Sequence, residues 1–145
     1  MISRMITRLL TGIGVFFAIV SASVSARTQG PAKGTAAKAP DAAVHKAWMN
    51  DAADAQDDLR EALAGKSSAK TAAAALKLQT LMARTERYWA SRHADDIVKI
   101  AQESKALAGQ VARAAKAHKL EQANEAFGKL NTTCNTCHDL HPEKR

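Results

Sequence analysis

The sequence predicts an all-α protein, an antiparallel up-down-up-down four-helix bundle, on three observations. First, alanine, lysine and leucine are the commonest residues, while aromatic residues make up 4% of 145 residues and there are only three prolines and seven glycines. Such a composition favours helices and lacks the blend of β-branched and aromatic residues between frequent turn signals that sheets need. Second, apolar residues recur at three- and four-residue spacing in four successive stretches of about 20–25 residues. Third, the breaks between the stretches are short, as an up-down bundle requires.

The chain opens with a segment read as separate from the fold. Arg4 and Arg8 precede an apolar run from Leu9 to Val20, and Val24-Ser25-Ala26 places small residues at a cleavage site. Residues 1–26 therefore read as a secretory signal peptide. The run is shorter than the roughly 20 residues of a spanning helix, so a membrane partner is expected only if the segment is retained. Residues 27–40, RTQGPAKGTAAKAP, contain no large apolar side chain and read as a flexible leader. The bundle is expected over residues 41–145.

Asp41 is a good N-cap for the first helix. Its inward face is Val44 or His45, Trp48 or Met49, Ala52, Ala55, Leu59, and Ala62 or Leu63, and Gly65 stops it. Ser67 or Ser68 caps the second, whose face is Ala75, Leu78, Met82, Thr85 and Trp89, flanked by Leu81 and Tyr88. Ser91-Arg92-His93 forms a turn. The third helix carries Ile97, Ile100, Ser104, Leu107, Val111 and Ala114, with Gly109 marking a close approach of two backbones. Lys116-Ala117-His118-Lys119 separates it from the fourth. There the face runs through Leu120, Ala123 or Asn124, Phe127, Leu130, Cys134, Cys137 or His138, and His141.

Charge and cysteine content narrow the function. The net charge is +7, but basic residues are interspersed with carboxylates and form no stripe or tail, so a nucleic-acid partner is not expected. The acidic run Asp51, Asp54, Asp57, Asp58 follows the outer face of the first helix and reads as a solvated surface. Two cysteines exclude a disulfide-dense scaffold. Both fall in Cys134-Asn135-Thr136-Cys137-His138, the C-x-x-C-H attachment signature of c-type haem. Two thiols must add to the two vinyl groups on one porphyrin edge, and the adjacent imidazole then reaches the iron. On a helix, positions i, i+3 and i+4 share one face, so all three groups address one ligand.

Other readings compete. A redox disulfide normally sits in a βαβ context that is absent here. A Cys2His2 zinc site from Cys134, Cys137, His138 and His141 would need ligands from a loop or two elements to close a tetrahedron. An export signal, by contrast, places the motif in the periplasm, where c-type haem is assembled. One haem c per chain is expected, held by Cys134 and Cys137 with His138 as axial iron ligand. The motif lies at the end of the chain, so a second axial ligand must come from upstream. In an antiparallel bundle the start of helix one, the end of helix two and the start of helix three share its layer. Met49 is the first candidate, His45 the second. Trp48, Tyr88 and Trp89 are expected to cluster in the same layer. His93 and His118 are expected as exposed helix-end residues.

With these motifs in place the chain resembles the cytochrome c prime family. The likeness is strongest over Leu120 to Asp139, LEQANEAFGKLNTTCNTCHD, including Phe127-Gly128 and the Asp139 that follows the histidine, and extends weakly over residues 41–145. The resemblance implies a four-helix bundle, haem c on the fourth helix and a distal residue from the first, a methionine in the low-spin branch. It departs from the family at His141 and Pro142, where an aromatic and a basic residue are usual, and it is short between helices two and three. The expected function is a periplasmic mono-haem cytochrome that passes single electrons to redox partners, without enzymatic activity, as a monomer or homodimer. The alternatives are a haem-based binder of small gases such as NO or CO, with five-coordinate iron, and a small zinc-binding domain.

Overall fold

The computed structural model describes residues 40–142. The expected signal segment and all but the last residue of the leader lie outside the described residues. The expected fold is present: α1 (Ala42–Ala64), α2 (Ser68–Ala90), α3 (Asp95–Lys116) and α4 (Leu120–Leu140), with no strand among the described residues. No helix there is long and apolar enough to cross a membrane.

Local chemistry fixes the helix ends. The Asp41 carboxylate accepts the Val44 backbone N–H at 2.9 Å, and the Ser67 hydroxyl accepts that of Lys70 at 3.4 Å. Caps of this kind contribute about 1 kcal/mol each. α3 and α4 start without a side-chain cap, and Asp95, Asp96 and Glu121 in their first turns complement the helix dipoles instead.

All three loops end the preceding helix in the same way. Ser67, Ala94 and Lys119 each donate N–H to a carbonyl five residues back, and Lys66, His93 and His118 each to one three back. This is the Schellman pattern. Its left-handed position is held by non-glycine residues every time, with φ of 53° at Lys66, 56° at His93 and 57° at His118. Gly65 ends α1 as expected, but at φ −78°, so the left-handed residue is its neighbour Lys66.

Cross-helix pairs show the antiparallel order. His45 near the start of α1 meets Trp89 at the end of α2, and Asp96 at the start of α3 meets His141 just past α4. Gln56 reaches Cys134, while Arg60, one turn further along α1, reaches back to Phe127 of α4. Tight backbone seams join α1 to α2, α2 to α3 and α3 to α4, whereas α1 and α4 are not joined by a comparable seam.

The core is built largely of alanine with Leu59, Leu78, Leu107, Val111, Phe127 and Leu130 between the helices. One open choice is settled and one expectation is corrected. Of Val44 and His45, His45 is the buried residue and Val44 is 40% exposed, with His45 hydrogen-bonded to Trp89 inside. Gly109 does not mark a meeting of backbones. A Cβ there would lie 2.6 Å from the Gln79 side-chain amide, so the glycine makes room for a side chain.

Two substitutions follow. Lys66→Gly relieves a left-handed non-glycine residue, and Gly128→Ala fills open space on the exposed side of α4. Each is expected to stabilise the fold by roughly 0.5–1 kcal/mol, read as a rise in the urea midpoint at unchanged slope. A fall at either position would contradict the backbone described.

Candidate functional site

Where α1 and α4 fail to close, the bundle holds a cleft lined by all four helices. α4 contributes Cys134, Cys137 and His138. α1 contributes Met49, Ala52, Ala53 and Gln56, and α2 and α3 supply Met82, Thr85, Ile97, Ile100, Ala101 and Ser104. Its cavity volume is about 80 Å³, below the roughly 300–1,000 Å³ usual for small-molecule and cofactor sites. A larger open groove of about 680 Å³ lies between α1 and α2 at the opposite end. It is wide and lined by exposed charged and small residues, with none of the motif residues, so it is not the candidate site.

The helix places the motif as its spacing requires. Cys134, Cys137 and His138 are all half-buried on one side of α4. Gln56 Nε2 lies 3.6 Å from Cys134 Sγ, joining α1 to α4 across the cleft. Burial pushes the Cys134 thiol up to about 11, with the neighbouring Cys137 adding to the effect. Burial also raises Cys137, with Asp96 second. Both are thus protonated thiols at neutral pH in the metal-free protein. Among the described residues no group of three or more histidine, cysteine or acidic side chains converges as a metal site. His141 instead turns to α3, its Nε2 3.0 Å from the Asp96 carboxylate.

Of the two upstream candidates, the cleft receives Met49 and not His45. Met82, assigned from sequence to the core, is both buried core and cleft wall. His45 belongs to an aromatic cluster beside the cleft. Its ring stacks on Tyr88 at 4.2 Å between centroids, and Trp48 and Trp89 meet it edge-on. The indole N–H of Trp89 donates to His45 Nε2 at 3.2 Å, so that lone pair is already used. On the other face of the cluster the Arg92 guanidinium sits 3.6 Å from the Tyr88 centroid and also donates to the Pro40 carbonyl at 2.8 Å. The expected aromatic grouping is therefore real, but Trp48, Tyr88 and Trp89 do not line the cleft. They pack beside it against Ile97 and Cys137. His93 and His118 are exposed at helix ends, as expected, and the acidic run on α1 is exposed.

The residue types fit a covalently held haem. Two thiols and an imidazole face one largely apolar cleft, a methionine stands on another helix lining it, and the buried Thr85 hydroxyl has no hydrogen-bond partner among the described residues. Sequence reasoning placed Thr85 on the inward face of α2 but did not assign it to the site. Only the three-dimensional arrangement shows it there with its hydroxyl unpaired. Comparison with protein-family models, curated proteins and solved structures finds no match for the chain.

Burial, and secondarily the Arg92 charge, lower the His45 pKa below its ordinary 6.5. A histidine held neutral in the fold contributes stability that is present above the unfolded value and lost as pH falls through the folded one. The melting temperature is thus expected to decline as pH drops below about 6.5. His45→Gln, which keeps an acceptor for Trp89 without titrating, is expected to flatten that part of the profile. An unchanged acid limb in the variant would remove His45 as its source.

Proposed function

We propose that the protein is a periplasmic mono-haem c-type cytochrome that carries single electrons, with thioether attachment through Cys134 and Cys137 and His138 as axial ligand. The observation that carries the reading is the placement of all three motif side chains on one cleft lined by every helix of the bundle. The resemblance of residues 120–139 to the cytochrome c prime family supports the same reading. Haem c supplies an iron that gains and loses one electron at a time.

The chain's own residues set the conditions. Met82, Ile97, Ile100 and Ala101 give the cleft a largely apolar wall, and an apolar surround is one of the levers on a haem potential. Met49 stands on α1, across the loose seam from α4, and is the proposed sixth ligand. Gln56 holds α1 against the first cysteine. No acid–base pair suited to substrate chemistry lines the cleft. A second reading, a haem-based binder of small gases, is favoured by Met49 being only half-buried, which leaves it free to pack rather than ligate.

Replacing both Cys134 and Cys137 by alanine is expected to yield protein whose haem, if any is held, extracts into acid-acetone, whereas the wild-type haem stays with the chain. The double variant is expected to lose about 3 kcal/mol or more of stability, the scale of ligand linkage and an emptied cavity. Haem extraction from wild-type protein would exclude thioether attachment. Met49→Ala is expected to convert a low-spin spectrum to high-spin, lower the potential and admit CO. A wild type already high-spin and CO-binding would favour the gas-binding reading. A low-spin spectrum unmoved by Met49→Ala would remove Met49 as ligand.

A further inference from the structure

α1 is held in the bundle from one side. A backbone seam joins it to α2 and none comparable joins it to α4. Beyond its first turn the buried residues of α1 are Ala52, Ala55, Leu59 and Ala62. Apolar contacts of this kind are non-directional, so they tolerate some rotation of a helix about its own axis. The cleft is less tolerant. Successive helical residues point about 100° apart, so a modest rotation of α1 carries Met49 away from the cleft it lines.

His45 supplies the missing direction. It lies in the first turn of α1, 7% exposed, one helical turn before Met49 and on the same side. The Trp89 indole N–H donates to its Nε2 at 3.2 Å, and its ring lies on that of Tyr88 at 4.2 Å, 14° from parallel. Both partners are on α2. The Arg92 guanidinium covers Tyr88 in turn and donates to the Pro40 carbonyl, so the chain entering α1 is tied to the same assembly. A hydrogen bond weakens steeply away from its preferred line. This contact therefore fixes the rotation of α1, whereas a leucine at the same place would fill the space and set no angle. We infer that His45 is a positioning residue for Met49: clasped by Trp89 and Tyr88, it sets which face of α1 meets the cleft and so how firmly the Met49 thioether is held toward His138. His45 lines no part of the cleft itself and acts through α1. The inference rests on the haem reading and on Met49 as sixth ligand.

The test uses reduced, haem-loaded full-length protein, with the low-spin spectrum and the rate of CO uptake as readouts, since CO binds as Met49 leaves the iron. His45→Leu keeps apolar bulk and removes the acceptor. It is expected to speed CO uptake about fivefold, the factor that corresponds to a net hydrogen bond of roughly 1 kcal/mol, and to add a high-spin fraction. Trp89→Phe, which removes the donor and keeps a ring, is expected to give the same rise. His45→Gln, which still accepts from Trp89, is expected to return the rate to that of the wild type. Val111→Ala, in the core at the opposite end, is expected to leave the rate unchanged. In His45→Leu, amide hydrogen exchange is expected to quicken over residues 46–53 and not over α3. A Met49-dependent low-spin spectrum with unchanged CO uptake or unchanged exchange in His45→Leu overturns the inference alone. An equal rise in Val111→Ala also overturns it, because general loosening then accounts for the effect. A wild type without a low-spin haem spectrum, or one whose spectrum Met49→Ala leaves unmoved, overturns the underlying reading and the inference with it.

Discussion

The structure depends on the seam that does not form. Three helix pairs close through tight backbone approach, made possible by alanine at the contact positions, while α1 and α4 are linked by longer side chains such as Gln56 to Cys134 and Arg60 to Phe127. With one seam open, the inner walls of α2 and α3 become the back of a cleft and the facing sides of α1 and α4 its flanks. Cys134, Cys137 and His138 lie on one flank and Met49 on the other.

The two ends of the bundle are held differently. At the motif end, Arg92, Tyr88 and His45 form a stack of cation, phenol and imidazole, with the Trp89 indole hydrogen-bonded into it. This assembly ties the end of α2 to the start of α1 and, through the Pro40 carbonyl, to the chain that enters the bundle. It packs directly against Cys137 and so buttresses the site without entering it. Aromatic contacts of this kind add stability beyond area burial. The opposite end relies on Leu59, Leu78 and Val111 among alanines. The rigid groups are thus concentrated where a cofactor would leave the core thinnest.

Most of the architecture was legible in the sequence because each helix carries its own punctuation. Asp41 and Ser67 cap, the apolar spacing picks the buried face, and the two glycine-free breaks end in the same geometry as the one that contains Gly65. The choice between Val44 and His45 was not decidable from periodicity, since both lie on the same arc. It turns on a long-range partner, Trp89, which local pattern cannot supply. The same partner removes His45 from the cleft. Gly109 was misread because the sequence reveals a missing side chain but not which atom, here the Gln79 amide, takes the space. Within the candidate site, the i, i+3, i+4 spacing of Cys134, Cys137 and His138 made their shared cleft-facing side of α4 readable. Thr85 was not, because an unpaired hydroxyl is a property of its surroundings.

The central claim is that Cys134 and Cys137 hold one haem covalently beside His138, and intact-protein mass spectrometry with peptide mapping tests it most directly. Protein exported to the periplasm is expected to have the mass of the chain, after any processing, plus one haem. The added mass should map to the single peptide that contains both cysteines. A chain mass without haem, or with a zinc ion in its place, would contradict the account.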